Sequence, residues 1–165
     1  MGAQRAGRRF QILWKKANFL MSAKKSIRIL TADDHPVFRH RVASLIDAEP
    51  DMELVAQAST GREAIEQFQL HRPDVTLMDL QMPDMGGIEA MIAIRNEFPN
   101  ARIIVLTTYN GDVQMMRALK AGARAYVLKG RVQKELLETI RAVHDPGALT
   151  ASMSDTEYVL ASASA

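Results

Sequence analysis

Polar side chains that can do chemistry stand at the ends of four apolar segments of this 165-residue chain. In chain order they are Asp33 and Asp34 after IRILTA, Asp79 at the end of DVTLMD, Thr107 and Thr108 at the end of RIIVLTT, and Lys129 at the end of AYVLK. If these segments are parallel strands, their carboxyl ends share one edge of a sheet, and the side chains meet there. Three neighbouring carboxylates repel one another, so the pattern implies a cation among them.

This combination of groups favours phosphoryl chemistry assisted by Mg²⁺. Magnesium binds through one or two carboxylates and keeps several waters. Lys129 would supply a compact positive charge, and the hydroxyl of Thr107 would donate to an anionic oxygen. A carboxylate can also act as a nucleophile and become an acyl phosphate, and Asp79 is the candidate because it stands at the middle of the predicted edge.

The loop after Asp79 is rich in turn-forming residues. Its segment QMPDMGG holds Pro83, Gly86 and Gly87. Glycine has no side chain and allows close approach of the backbone. We therefore expect this turn to clear space above Asp79 and to let backbone groups reach a metal and a phosphate.

Apolar periodicity predicts the elements that would bring these residues together. Short β-branched segments alternate with segments of helical period, as in a parallel sheet with helices on both faces. The predicted strands are 27–32, 52–58, 74–79, 102–108 and 125–129. Thr60 and Glu63 predict a capping box before the second helix, and Asn110 is the expected cap of the fourth. The residues expected to face inward include Val37 and Phe38 of the first helix and Val113, Met116 and Leu119 of the fourth.

The positive charge of the chain is concentrated in its first 20 residues. The formal net charge is +2, but five of the 21 basic residues lie there with no acid, which leaves 16 basic against 19 acidic residues in the rest. The net charge is therefore no argument for nucleic-acid binding. We expect a disordered basic extension at 1–25, one domain at 26–146 and a disordered tail at 147–165.

Composition argues against several other kinds of protein. The sequence has no cysteine, which rules out disulfides, zinc-thiolate sites and thiol catalysis within it and fits a cytoplasmic setting. No segment reaches the ~20 apolar residues of a membrane-spanning helix, so no membrane partner is expected. Surface roles, without metal-ligand spacing, are expected for His35, His40, His71 and His144.

Four motifs of this chain resemble those of a known family. ADDHP, LMDLQMPDMGG, VLTT and AYVLKG match, in order, the acidic pair, phosphoacceptor loop, switch hydroxyl and lysine of the receiver domain of bacterial two-component response regulators. The resemblance covers residues 26–144, and the segments TTYNGDVQMMRALKAGARAYVLKG and ELLETIRAVH resemble those of the NarL/FixJ (LuxR-type) class. It implies a flavodoxin-like, doubly wound α/β fold, with a five-stranded parallel sheet in the order 2-1-3-4-5 and helices on both faces.

The resemblance also implies a role for each site residue. The ligands of a Mg²⁺ cofactor would be Asp34 and Asp79 directly, Asp33 mainly through water, and the backbone carbonyl of Gln81. The residues that handle the phosphoryl group would be Asp79 as acceptor, Thr107 and Lys129 as its grip, and Tyr126 as an aromatic that changes rotamer when Thr107 moves inward. The protein would be a signalling domain rather than an enzyme, although it could catalyse its own phosphorylation and dephosphorylation.

The resemblance implies partners as well. Phosphate would come from the phosphohistidine of a sensor histidine kinase, and would shift the face formed by the fourth helix, fifth strand and fifth helix between two existing arrangements. Homodimerisation through the first and fifth helices, or through the fourth-helix face, is also expected to be possible. NarL/FixJ regulators continue into a helix-turn-helix domain, but nothing after residue 146 shows that pattern, so no direct DNA binding is expected from this chain.

Two alternative functions remain open at this point. The first is a receiver fold that binds proteins without being phosphorylated, as a stand-alone module or a truncated regulator. The second is an aspartate-nucleophile phosphatase of the haloacid-dehalogenase type, which also uses Asp, Thr, Lys and Mg²⁺. That class needs a second acid two residues beyond the nucleophile, and Gln81 in that position disfavours it.

Overall fold

The computed structural model describes residues 25–108 and 111–148 of the chain, through which strands and helices alternate. The strands are β1 (Ile27–Ala32), β2 (Met52–Ala58), β3 (Val75–Asp79), β4 (Ile103–Thr107) and β5 (Ala125–Leu128). The helices are α1 (Pro36–Asp47), α2 (Gly61–His71), α3 (Gly87–Glu97), α4 (Asp112–Lys120) and α5 (Val132–His144), with short 3₁₀ turns at Lys129–Arg131 and Pro146–Ala148. The predicted strands are confirmed to within one residue at each end.

The strands form one parallel sheet in the order β2-β1-β3-β4-β5. Since β1 lies between β2 and β3, the strand order reverses there, which confirms the flavodoxin-like prediction. The register pairs Ala32 with Met78, Asp79 with Leu106 and Thr107 with Leu128. The carboxyl ends of β1, β3, β4 and β5 therefore meet at one edge of the sheet.

Hydrophobic cores cover both faces of this sheet. Side chains alternate between the two faces along a strand, so Ile29 and Leu30 of β1 belong to different cores. The core under α1 and α5 includes Val42, Ile46, Leu136 and Ile140. The core under α2 and α3 includes Ala64, Phe68, Met91 and Ile94. Both central strands, β3 and β4, are buried at every position, as expected of strands covered on both faces.

The start of α2 carries the predicted cap at Thr60. Its hydroxyl oxygen accepts a hydrogen bond from the backbone N–H of Glu63 at 3.1 Å. The Glu63 carboxylate returns to Ser59 instead of Thr60, and accepts the Ser59 N–H at 2.7 Å and its hydroxyl at 2.9 Å. Both hydrogen bonds lower the pKa of Glu63, and the bond from the Ser59 backbone N–H has the larger effect. The second half of the capping box is thus shifted by one residue, because Ser59 offers two donors.

The prediction of an inward orientation is wrong for three residues. Val37 is 84% exposed, Val113 73% and Met116 50%. Among the α4 residues whose burial is described, Ala118 is the fully buried one, and Val113 and Met116 are five and two positions away from it. At 3.6 residues per turn, these positions lie on the opposite side of the helix. Val37 lies in the first turn of α1, where its neighbour Phe38 is partly buried against the core, and the first fully buried residue of the helix is Val42.

Some expectations fall outside the described residues. These are the basic extension up to residue 24, the Asn110 cap and the tail from residue 149. The structure begins α4 at Asp112, with Gly111 before it. Of the helices in the described ranges, none is long and apolar enough to cross a membrane.

Candidate functional site

The end of β5 places an amine between two carboxylates. Lys129 Nζ lies 2.6 Å from Asp33 Oδ2 and 2.9 Å from Asp79 Oδ2, and each of the three side chains is at most 10% exposed. The amine also lies 4.7 Å from the centroid of the Phe38 ring, where an aromatic face attracts a cation. The structure thus brings together three of the residues that the strand ends were expected to deliver.

The charges of these three residues depend on one another. Burial opposes the ammonium of Lys129, but hydrogen bonds and charges from Asp33 and Asp79 outweigh it and raise its pKa. Burial raises the pKa of Asp79. The hydrogen bond and charge of Lys129 act to lower this pKa, and the negative charge of Asp33 acts to raise it further. Asp79 Oδ1 also accepts the backbone N–H of Gln81 at 3.3 Å, while the Gln81 carbonyl stays a predicted metal ligand. One ammonium therefore does not fully compensate two buried carboxylates.

Four residues offer possible metal ligands around the same point. Donor atoms of Asp33, Asp34, His35 and Asp79 lie within 4.8 Å of one another. Asp33 Oδ2 and Asp34 Oδ1 are both buried oxygen atoms of this group. Their close neighbours are basic nitrogens, Lys129 Nζ for Asp33 and His35 Nδ1 for Asp34. Carboxylate oxygens with unused lone pairs are the donors that Mg²⁺ prefers, so these residues fit a magnesium ion.

His35 is a member of this cluster that the expected surface role did not include. Its Nδ1 lies 3.0 Å from Asp34 Oδ1 and 3.2 Å from Asp33 Oδ1, although the side chain is 67% exposed. The available sequence signal was its position directly after two acids and before Pro36. A search for ligand spacing along one helix misses it, because the turn that folds the ring back precedes the helix.

Thr107 and Tyr126 lie on adjacent strands at this edge. Thr107 ends β4, one residue beyond Leu106, the register partner of Asp79. A hydrogen bond joins the hydroxyls of Thr107 and Tyr126; burial raises the pKa of Tyr126 and this bond opposes the rise. The two residues of the implied switch are thus in contact, and the rotamer change itself stays a prediction.

Two glycines hold the loop that follows Asp79. Gly87 donates its N–H to the carbonyl of Leu80 at 3.0 Å, and a Cβ added there would overlap the carbonyl oxygen of Asp79. Gly61, the first residue of α2, donates to the carbonyl of Met85 at 3.0 Å, and an added Cβ would meet that oxygen at 2.5 Å. Glycine is needed here for backbone to pack on backbone. The approach of this loop to a metal or phosphate stays a prediction.

The sequence is similar to a known protein family and to individual bacterial proteins. Residues 29–141 match the model described as response regulator receiver domain. The chain is 42% identical over 118 residues to the uncharacterized transcriptional regulatory protein YhcZ of Bacillus subtilis, which covers 72% of this chain and 55% of that protein. It is 34% identical over 119 residues to the response regulator protein VraR of Staphylococcus saprophyticus, which covers 72% and 57%. The chain thus spans little over half the length of these relatives.

Solved structures share the fold. The response regulator domain of Thermotoga maritima CheB superimposes with a TM-score of 0.69 at 34% identity, covering 73% of this chain and 97% of that one. A two-component response regulator of the LuxR family from Aurantimonas sp. SI85-9A1 gives 0.70 at 37% identity, covering 73% and 86%. Both sequence identities are high enough to indicate membership of a common family as well as a common fold.

Proposed function

Because this chain belongs to the response regulator receiver domain family of two-component systems, we propose that Asp79 is phosphorylated by a sensor histidine kinase. Receiver domains are signalling domains that interact with such kinases, and the relatives of this one are transcriptional regulators. The observation that carries the proposal is the position of Lys129, held between Asp33 and Asp79 at 2.6 and 2.9 Å.

The proposed transfer uses groups whose positions are known. An oxygen of the Asp79 carboxylate forms a bond to phosphorus, the phosphorus–nitrogen bond of the kinase phosphohistidine breaks, and the imidazole leaves with the bonding electron pair. Gln81 N–H and Lys129 hold the two oxygens of Asp79 on separate sides. Lys129 and the hydroxyl of Thr107 are then the donors for the phosphoryl oxygens. Little else is required, since phosphoryl transfer depends mainly on positioning and charge.

The cation of the proposed reaction is Mg²⁺, as receiver domains bind it at an acidic pocket. Asp34 and Asp79 would hold it directly, Asp33 through water, and Gln81 by its backbone carbonyl. The ion would neutralise charge on the phosphoryl oxygens. Burial of Asp33 and Asp79 beside a single ammonium, as far as the described residues show, supports this need for a further positive charge.

The output we propose begins at Thr107. If its hydroxyl turns to a phosphoryl oxygen, its hydrogen bond to Tyr126 breaks, and Tyr126 is released to take another rotamer. Phosphate would then favour one of two arrangements of the α4, β5 and α5 face only by the difference in these contacts. Val113 and Met116 of α4 are exposed apolar side chains, and they would contribute to that face.

The test is modification of the chain by acetyl phosphate with Mg²⁺, followed by intact-protein mass spectrometry. We expect wild type to gain one phosphoryl group and Asp79→Asn to gain none. The matched control is Asp84→Asn, in the same loop but with an exposed side chain, which is expected to behave as wild type. Modification of Asp79→Asn at the wild-type level would overturn the proposal.

A second measurement separates phosphorylation from mere protein binding. Beryllofluoride with Mg²⁺ is expected to shift the NMR signals of Thr107 and Tyr126 and to change affinity for the cognate kinase. A receiver used as a phosphorylation-independent module would keep the same affinity with and without beryllofluoride. Sustained turnover of a phosphate ester would instead indicate the phosphatase alternative.

A further inference from the structure

His35 contributes the nitrogen donor of the four-residue group whose donor atoms lie within 4.8 Å of one another. We propose that His35 is a ligand for transition-metal cations, with Zn²⁺ as the test case, and that it gives the pocket a preference for them over Mg²⁺. This inference rests on the proposed function, because it places Zn²⁺ at the site proposed for Mg²⁺.

The backbone sets the position of the His35 ring. Its N–H donates to Asp33 Oδ1 at 2.8 Å, and the next residue, Pro36, begins α1. The ring folds back over the same carboxylate, with Nδ1 at 3.2 Å from Asp33 Oδ1 and 3.0 Å from Asp34 Oδ1. A ring nitrogen held toward two carboxylates points into the pocket, although most of the side chain is exposed.

The chemistry of the donors then separates two classes of cation. Mg²⁺ is a hard ion that takes oxygen ligands and keeps several waters, so a nearby imidazole adds nothing to its binding. Zn²⁺, Ni²⁺ and Cu²⁺ bind imidazole nitrogen well, and aspartate oxygen completes their sites. In a pocket with three carboxylates and one imidazole, Mg²⁺ would therefore bind only to the carboxylate oxygens, whereas Zn²⁺ would bind to the imidazole nitrogen as well.

The two basic groups of the pocket are not equivalent in this respect. Lys129 pairs with Asp33 and Asp79 and is buried, and a protonated amine cannot be a ligand. His35 pairs with Asp34, whose side chain is 33% exposed, on the solvent side of the cluster. A cation that enters from solvent therefore meets Asp34 and His35 together.

The experiment measures the affinities of the full chain for Zn²⁺ and Mg²⁺ by calorimetry at pH 7. The variants are His35→Gln and the matched control His40→Gln, an exposed histidine of α1 outside the cluster. We expect His35→Gln to weaken Zn²⁺ binding by at least about tenfold and Mg²⁺ binding by less than about twofold. The control variant is expected to change neither.

Nitrogen NMR of the wild type labelled with ¹⁵N-histidine gives a readout that does not depend on a variant. We expect Zn²⁺ to shift one imidazole resonance strongly, Mg²⁺ to leave it nearly unchanged, and that resonance to be absent from His35→Gln. Equal weakening of both metals in His35→Gln, or a Zn²⁺-shifted resonance that persists in it, would overturn the proposal.

Asp34→Asn distinguishes failure of this inference from failure of the proposed function. If Asp34→Asn loses Mg²⁺ affinity while His35 does not respond to Zn²⁺, the magnesium pocket stands and the His35 assignment alone is wrong. If Asp34→Asn keeps wild-type Mg²⁺ affinity, the pocket lies elsewhere, and the His35 assignment and the proposed metal-assisted transfer both fall.

Discussion

Lys129 and Asp79, 50 residues apart in the chain, are joined by a buried hydrogen bond of 2.9 Å. The same ammonium lies 2.6 Å from Asp33. The residue directly after the fifth strand thus supplies the positive charge for acids at the ends of the first and third strands. Substitutions at these positions are expected to change stability and phosphoryl transfer together, and the two effects can be measured separately.

Lys129→Met removes the ammonium and keeps most of the side-chain volume. Leaving a buried charge without its partner costs ~3–5 kcal/mol, so the free energy of unfolding from urea denaturation is expected to fall by that order without divalent cations. Arg62→Met, which breaks an exposed pair with Asp84, is the control and is expected to cost at most ~1 kcal/mol. Equal losses in the two variants would show that the buried pair carries no special weight.

Asp79→Asn is expected to stabilise the unphosphorylated protein while abolishing phosphorylation. Burial raises the pKa of Asp79 above its ordinary 3.8, so its ionised form opposes folding at pH 7, and this cost disappears below the ordinary pKa. The thermal midpoint of Asp79→Asn, without Mg²⁺, should exceed that of wild type at pH 7, and the difference should shrink toward pH 3. A midpoint at or below that of wild type at pH 7 would refute this account.

Gly87→Ala is expected to destabilise the protein and slow its phosphorylation. The added Cβ would overlap the carbonyl oxygen of Asp79, and overpacking of this kind costs ~1–3 kcal/mol. Gly130→Ala is the control, since a Cβ there meets nothing within 4 Å. Urea denaturation and the rate of modification by acetyl phosphate measure the two effects. Wild-type stability and phosphorylation rate in both variants would contradict this prediction, because they would show that the loop after β3 can move to accommodate the added Cβ.

Glu63→Gln tests the cap of α2 through its pH dependence. The bond from the Ser59 N–H lowers the pKa of Glu63 below its ordinary 4.5, so its contribution to stability is present above pH 4.5 and is lost as pH falls through the folded-state pKa. Wild type should therefore be more stable than Glu63→Gln at pH 7, with the gap closing in acid. Glu66→Gln, exposed on the same helix, is the control, and its loss of stability at pH 7 is expected to be smaller than that of Glu63→Gln.

The strand ends of this protein could be predicted because a parallel sheet leaves few choices. Once apolar segments alternate with helical ones, Asp33, Asp79 and Lys129 must share an edge, and the structure places them in contact. The contact between the Lys129 amine and the Phe38 ring could not be predicted in the same way, because it depends on where α1 crosses the sheet.

The exposure of Val113 and Met116 shows where periodicity stops being informative. An apolar stripe indicates that a helix has two different sides, but it does not fix which side is buried. In the short helix α4, the small residue Ala118 faces the core instead of the larger apolar side chains. His35 was missed for a related reason, since its ring position follows from a turn before α1. Both features depend on tertiary packing, which no local pattern contains.

Lys129 is far from Asp33 and Asp79 in the sequence, and this order also matters during synthesis of the protein. The ribosome releases Asp33 and Asp79 before Lys129, so a sheet formed from β1 to β4 alone would have both acids at its rim without this ammonium. Docking of β5 beside β4 then completes the sheet and adds an ammonium to its rim in one event. Newly made chains arrested before residue 129 would therefore carry an electrostatically frustrated intermediate.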